Sequence, residues 1–110
     1  MAYTKSELFS AELQNCSVLF KALGHPARLA ILKYLAETKT CITGDLADEI
    51  PLGRTTVNQH LKELKDAGLI QGTTEGVKTC YCLDPGNIRE LKKLVEKFVN
   101  DINIPEALAC

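Results

Sequence analysis

The sequence predicts a single, mainly α-helical domain that carries one small β-hairpin, with about five helices and two to three short strands. Apolar residues recur at helical spacing in several segments, and glycine or proline separates most of these segments. Two strand-like runs, Leu69–Thr74 and Val77–Leu83, lie around Glu75-Gly76 and predict the hairpin. A length of 110 residues, with 45% hydrophobic and 25% charged residues, suits one globular domain over 1–110, with its core over about 8–102 and a tail over 103–110.

The first two predicted helices meet at the break Gly24-His25-Pro26. The first helix is expected from about Lys5 to Leu23, where most of the larger apolar side chains fall on one broad face. Pro26 suits the first turn of the second helix, which is expected from about Ala27 to Ala36. On this second helix the apolar spacing predicts three buried residues, Leu29, Leu32 and Leu35.

A helix-turn-helix follows in the middle of the chain. The pattern predicts a brief helix over Gly44–Ile50, a tight turn at Pro51-Leu52-Gly53 and a longer helix over Arg54–Ala67. Gly68 is placed to cap the C-terminus of the longer helix. Two short helices joined by a tight turn are typical of a helix-turn-helix, and the hairpin behind them makes the predicted fold a winged helix-turn-helix.

The last predicted helix covers about Gly86 to Ile102 and follows Asp84-Pro85, a suitable N-cap and first helical residue. Its apolar residues repeat at alternating intervals of three and four, which favours a seam between helices: Ile88, Leu91, Val95, Phe98 and Ile102. Because this stripe is too exposed for the last helix of a monomer, we expect a homodimer formed through the first and last helices.

The outer face of the helix over Arg54–Ala67 is polar. With Val57 at the buried centre, hydroxyls, amides and a lysine lie on the opposite side, and such groups suit base edges and phosphates in a major groove. His60 lies nearer the buried side and is interpreted as a half-buried packing or backbone-contact residue, not as a base reader. The net charge of −1 indicates no nucleic-acid binding by itself, so the prediction depends on local arrangement. The predicted DNA contacts are Arg54, Thr55, Thr56, Asn58, Gln59 and Lys62 on this helix and Lys78 on the wing.

Three stretches of the sequence resemble the ArsR/SmtB family of winged-helix repressors. These are LGHPARLAIL (Leu23–Leu32), TVNQHLKEL (Thr56–Leu64) and AGLI (Ala67–Ile70). The resemblance covers about residues 8 to 102. It implies a dimeric transcriptional repressor that leaves its operator when a metal ion or another inducer binds. For a two-fold dimer, the operator is expected to be an inverted repeat.

The inducer sites that are usual in this family are not expected here. Arsenic- and cadmium-sensing members carry a Cys-x-Cys-Asp-Leu motif at the start of the third helix. Alignment on Asp45-Leu46 puts Ile42 and Gly44 where those cysteines belong. Other members bind zinc through histidine and carboxylate ligands on the last helix, and this chain has no histidine beyond His60.

Three of the five cysteines predict a different thiol site. In winged-helix folds the segment before the third helix commonly pairs with the second wing strand, so Cys41 is expected within reach of Cys80 and Cys82. Period-two alternation puts Cys80 and Cys82 on one face, with Tyr81 and Leu83 facing the core. Three converging thiolates suit a soft, pyramidal ion. The expected inducer is therefore As(III) or Sb(III), with Cd(II) and Zn(II) as weaker candidates.

The two remaining cysteines are secondary ligand candidates. Cys16 lies on the apolar face of the first helix, where a thiol packs as a small hydrophobic group, and Cys110 belongs to the tail. Two alternatives stay open. The chain can be a redox or reactive-sulfur sensor of the same family, or a member without a cysteine-based inducer.

Other function classes find no motif in this sequence. It has no Cys-x-x-Cys, no catalytic Cys/His/Asp constellation and no glycine-rich phosphate loop, so neither an enzyme nor an obligatory cofactor is expected. No apolar run approaches the roughly 20 residues of a membrane span, and the N-terminus lacks the pattern of a signal peptide. We therefore expect a cytoplasmic protein with no membrane partner.

Overall fold

The structure, a computed structural model, describes residues 8–38, 42–43, 51–75 and 78–106. Within these ranges it contains four α-helices and three strands, in agreement with the predicted winged helix-turn-helix. The predicted helix over Gly44–Ile50 lies outside the described residues. In chain order the elements are α1 (Ala11–Leu23), α2 (Pro26–Thr38), β1 (Ile42–Thr43), α3 (Arg54–Asp66), β2 (Ile70–Glu75), β3 (Lys78–Leu83) and α4 (Pro85–Asp101).

Side-chain caps set the start of two helices. The Ser10 hydroxyl accepts a hydrogen bond from the Leu13 N–H at 3.2 Å, so α1 begins at Ala11 and the prediction of a start near Lys5 was wrong for residues 8–10. Asp84 caps α4 as predicted, because its carboxylate accepts from the Asn87 N–H at 3.1 Å. The chain then enters α4 through Pro85, whose fixed φ suits the first helical position.

The core lies where α2, α3 and the base of the hairpin meet. Its fully buried side chains are Ile31, Leu64 and Leu69. On α2 the buried residues are Ala27, Ile31 and Leu35, spaced four apart, while Leu32 is only half-buried. The prediction that Leu29 is buried was wrong: it is 48% exposed, because α2 turns the face centred on Ile31 towards α3.

The three strands form an antiparallel sheet in the order β1-β3-β2, so β3 is the central strand. Its residues pair with both neighbours, since Tyr81 lies opposite Ile42 of β1 and Gly72 of β2. Gly68, with φ of 81°, turns the chain from α3 into β2 as predicted, a conformation that side chains with a Cβ rarely adopt. The sheet thereby joins the wing to the segment that leads into the helix-turn-helix.

Helix α4 packs beside α1, and Ile88 and Leu91 in its first half also pack against the core. The prediction that its apolar stripe is exposed was wrong for all but Ile102, because the other four residues are half-buried. The rings of Phe20 and Phe98 meet edge to face with centroids 5.3 Å apart, and Lys97 forms a 2.8 Å ion pair with Glu12. All residues of α4 are described, and none of them is fully buried.

No helix within the described ranges has the length and apolar character needed to cross a membrane.

Candidate nucleic-acid interface

Helix α3 presents two different faces. Its buried side consists of Val57, His60, Leu61 and Leu64, which fix the helix against the core. The six predicted DNA-contact residues of α3 are all exposed, and they belong to its first three turns: Arg54, Thr55, Thr56, Asn58, Gln59 and Lys62. The helix therefore leaves a polar surface exposed, of a kind that can enter the major groove of DNA.

The start of α3 suits a negatively charged ligand. Its N-cap is Gly53, and no described side chain caps the first turn, so the first backbone N–H groups stay available. These groups and the positive end of the helix dipole favour a phosphate. The guanidinium of Arg54 lies in the same turn and adds a positive charge there.

The wing supplies one further predicted contact. Lys78 begins β3 and pairs with Glu75 across the hairpin, although its side chain lies outside the described part of the structure. Thr73 on β2 is exposed. The hairpin comes directly after α3 in the chain, so its polar residues offer a second surface beside the helix.

The thiols of β3 share one face of the sheet. Tyr81 and Leu83 pack against the core, whereas Cys80 and Cys82 alternate with them and are half-buried. In the ladder Cys80 pairs with Thr43 of β1, and Ile42 of β1 pairs with Tyr81. The pairing of this segment with the second wing strand was predicted.

The structure brings two of the five predicted thiol ligands together. Cys41 and Cys110 lie outside the described residues, and Cys16 is buried on α1. Among the residues that the structure describes, no cluster of three or more histidine, cysteine, aspartate or glutamate side chains could hold a metal. A third thiol beside Cys80 and Cys82 would therefore have to come from outside the described residues, where Cys41 and Cys110 lie.

A polar cluster behind α3 was not predicted. The Nε of Arg28 donates to the Nδ1 of His60 at 3.1 Å, and the His25 and His60 rings lie 4.3 Å apart. His60 is only 8% exposed. Burial, followed by the neighbouring His25 and Arg28, lowers the pKa of His60 below its usual 6.5, which Glu63 opposes. His60 is thus held as a neutral imidazole at neutral pH.

The sequence contained part of the signal for this cluster. Helical projection correctly put His60 near the buried side, and it made no distinction between a packing histidine and a paired one. Its partner Arg28 is 32 residues away on another helix. Only the crossing of α2 and α3 brings the two side chains together, and no local pattern encodes that crossing.

Comparison with known proteins agrees with this geometry. The Helix-turn-helix domain family matches residues 23–73. An uncharacterized HTH-type transcriptional regulator of Methanocaldococcus jannaschii is 34% identical over 85 residues, covering 77% of this chain and 96% of that protein. The HTH-type transcriptional repressor SmtB of Mycobacterium tuberculosis is 38% identical over 71 residues, covering 64% of this chain and 52% of the repressor.

A solved structure gives the same fold. It is the solution structure of a homodimeric winged helix-turn-helix DNA-binding domain from Mycobacterium bovis, described as a possible ArsR-family transcriptional regulator. It superposes with a TM-score of 0.65 at 24% identity, covering 100% of this chain and 98% of that one. Both relatives described above are HTH-type transcriptional regulators, and the fold and the open face of α3 agree with that. The chain therefore belongs to the ArsR/SmtB family of DNA-binding transcriptional regulators.

Proposed function

We propose that this regulator is a homodimeric repressor that binds an inverted-repeat operator and leaves it when a thiophilic metalloid binds. The proposed inducer is As(III) or Sb(III), held by Cys41, Cys80 and Cys82 of one chain. The observation that carries the proposal is the central strand β3. It presents two thiols on one face and pairs with the strand that directly follows Cys41.

The exposed face of α3 supports the operator contact. The side-chain amide of Gln59 can both donate and accept a hydrogen bond at a base edge. Lys62 and Arg54 can neutralise phosphates. The buried face of α3 is packed against the core, so the exposed residues are presented by a rigid element. In a two-fold dimer the two copies of α3 would face successive major grooves on the same side of the DNA.

The apolar surface of α1 and α4 supports the dimer. Both helices belong to one edge of the fold, and several of their large apolar side chains are exposed instead of packed. Exposed apolar side chains on two helices that pack together are expected at an interaction site. The Mycobacterium bovis domain with the same fold is a homodimer. The exposed side chains in and next to the two helices are Leu8, Phe9, Leu13, Val18, Val99 and Ile102.

The positions of the cysteines support a three-thiol site. Cys80 and Cys82 are two residues apart on one strand, about 6.6 Å along it. Cys41 is bonded to Ile42, the residue opposite Tyr81, and consecutive Cα atoms are about 3.8 Å apart. Because Cys41 directly precedes Ile42 in sequence, we expect its thiol near those of Cys80 and Cys82. Each of the three hydroxyl groups of arsenite would be replaced by a cysteine sulfur. Each displaced hydroxyl would combine with the thiol proton and leave as water, so the arsenic would keep its oxidation state.

The same strands supply a route from the site to the DNA. β1 leads into the helix-turn-helix, and β3 belongs to the wing. Binding of one ion by three sulfurs would hold the wing against β1, the segment that precedes the helix-turn-helix. This would change the position of α3 relative to the dimer axis. A coupling of about 1–3 kcal/mol, or roughly 5–150-fold in operator affinity, is typical for such a switch.

Single Cys→Ser variants test the proposal. The probe is a fluorescent DNA duplex that the wild-type protein has selected from a random library, and its release is followed by anisotropy as As(III) is added. Cys41→Ser, Cys80→Ser and Cys82→Ser should bind the duplex normally and fail to release it. Cys16→Ser and Cys110→Ser are matched controls that should respond like the wild type. Normal release by the variants at 80 and 82, with none by the variant at 16 or 110, would place the site elsewhere and refute the proposal.

A further inference from the structure

We propose that Arg28 and His60 are a positioning pair for α3, and that the pair holds this helix in its DNA-reading orientation only while His60 is uncharged. Acid should therefore weaken operator binding. The inference rests on α3 being the reading helix, as proposed above. Neither residue is among the predicted DNA contacts, so the pair would act through α3.

The guanidinium of Arg28 connects three helices. Arg28 belongs to α2, and its Nε donates to His60 Nδ1 in the middle of α3 at 3.1 Å. Its Nη1 donates to the carbonyls of Lys21 and Ala22, in the last turn of α1, at 3.1 and 3.3 Å. The planar guanidinium fixes the directions of all these bonds together. The last turn of α1 and the centre of α3 are thus tied to one side chain.

The bond to His60 needs a neutral imidazole. Nδ1 accepts from Arg28, so it carries a lone pair, and a proton there would set one donor against another. His25 adds a second constraint, because its own Nδ1 accepts from the Ala27 N–H at 3.0 Å and its ring lies beside His60. The charged and titratable groups around His60 are Arg28 of α2, His25 before α2 and Glu63 of α3; of these, only Glu63 favours a charged His60.

Protonation would act on the reading face through its position. His60 lies between Gln59 and Lys62 in sequence, so a movement that separates His60 from Arg28 also moves these two exposed side chains. The expected sign is distinctive. An added positive charge on a DNA-binding protein ordinarily strengthens binding by attraction to phosphate. Here the loss of the Arg28 bond should outweigh that attraction, and affinity should fall as His60 takes up a proton.

The first measurement is an imidazole ¹⁵N NMR titration of the wild-type protein under reducing conditions. The chain has only two histidines, and His25→Asn assigns their signals. His60 Nδ1 should have the shift of an unprotonated acceptor at neutral pH, and the ring should titrate below 6.5. A protonated Nδ1 at neutral pH, or titration at or above 6.5, would overturn the proposal without reference to DNA.

The second measurement is the affinity for the selected duplex between about pH 8 and pH 5, in the pH range of histidine titration. Wild-type affinity should fall at least about fivefold towards acid, with the midpoint that NMR gives for His60. His60→Asn keeps an acceptor near Nδ1 and cannot titrate there, so its profile should be flat. His25→Asn keeps a cap acceptor for Ala27 and is the matched control, which should still lose affinity in acid.

The outcomes separate this proposal from the proposed function. If the wild-type protein selects no duplex, the DNA-reading assignment of α3 fails, while the NMR titration still decides the state of His60. If the duplex is bound and wild type and His60→Asn have the same pH profile, or wild-type affinity rises in acid, the positioning pair is refuted. If both variants fail to fold, two midpoints of the wild-type protein are compared, that of DNA affinity against pH and that of the His60 NMR titration. Equal midpoints support the positioning pair, and different midpoints overturn it.

Discussion

At the scale of single residues, the stability of the domain depends on a few side chains that are completely removed from water. Ile31, Leu64 and Leu69 come from α2, α3 and the turn into the hairpin, and they meet in one cluster. Because protein interiors are closely packed, a side chain removed there leaves a cavity that its neighbours fill only in part. Exposed apolar residues on the same helices have no such role.

Two alanine substitutions on α2 test this distinction. Ile31→Ala should lower the free energy of unfolding by about 2–5 kcal/mol, because it removes buried methyl groups and leaves a cavity. Leu29→Ala, two residues earlier, is the matched control and should change it by no more than about 0.5 kcal/mol. Urea unfolding at one protein concentration measures both. A larger loss for Leu29→Ala than for Ile31→Ala would mean that α2 presents the other face to the core.

The pH dependence of stability also belongs to this scale. The pKa of His60 is lowered in the folded chain, so the unfolded chain binds its proton more readily. Stability from this residue is complete above 6.5 and is lost as the pH falls from 6.5 through the folded pKa. Urea unfolding at successive pH values should show a decline in this window that is absent in His60→Asn. An equal decline in the variant would assign it to other groups.

At the scale of elements, α3 combines a packing face with an open face, and the two should respond differently to substitution. Gln59→Ala should weaken binding to the selected duplex by about 1–3 kcal/mol and leave binding to unrelated DNA almost unchanged. Lys62→Ala should weaken binding to all sequences and lower the salt slope by about one. Both are measured by anisotropy over a range of salt, with Lys33→Ala on α2 as the control. Wild-type binding by both α3 variants would remove α3 as the reading element.

Most elements could be predicted because their signals are local. Breakers and caps such as Pro26, Gly68 and Asp84 mark helix ends, and the alternation in β3 correctly separated Cys80 and Cys82 from the core-facing residues. The start of α1 was missed because Ser10 was not recognised as its N-cap.

What could not be predicted depends on how the helices cross. Leu29 has the same hydrophobicity as its buried neighbours, and only the rotation of α2 against α3 leaves it in water. The Arg28–His60 bond depends on the same crossing. For the thiol site, strand alternation correctly predicted the shared face of Cys80 and Cys82 on β3, and the position of Cys41 remains a prediction.

At the scale of the whole molecule, α1 and α4 make an edge whose apolar surface is incomplete in a single chain. Phe20 and Phe98 join the two helices, while Phe9, Leu13 and Val99 are exposed beside them. A second copy related by a two-fold axis would cover this edge and set the distance between the two α3 helices. The geometry of the dimer and the spacing of the operator are thus linked.

Sedimentation equilibrium tests the dimer. The wild-type chain should be a dimer at micromolar concentration, and Val99→Glu should shift it towards monomer, because burying an unpaired carboxylate at the interface is unfavourable. Leu29→Glu puts the same charge on an exposed apolar position of α2, outside the two predicted interface helices, and should remain dimeric. A monodisperse wild-type monomer would contradict the dimer, and a dimeric Val99→Glu beside a monomeric Leu29→Glu would move the interface to α2.

An As(III) titration of the wild-type protein bound to its selected duplex tests the three-thiol sensor, with DNA release followed by anisotropy and free thiols counted at each step. Release should be complete at about one As(III) per chain, with three of the five thiols protected and no reversal by a monothiol reductant alone. A thiol oxidant, added to a parallel sample, should not reproduce this stoichiometry. DNA that stays bound at saturating As(III) would refute the metalloid sensor. DNA that is released by the oxidant and rebound on reduction, while As(III) has no effect, would favour a redox sensor instead.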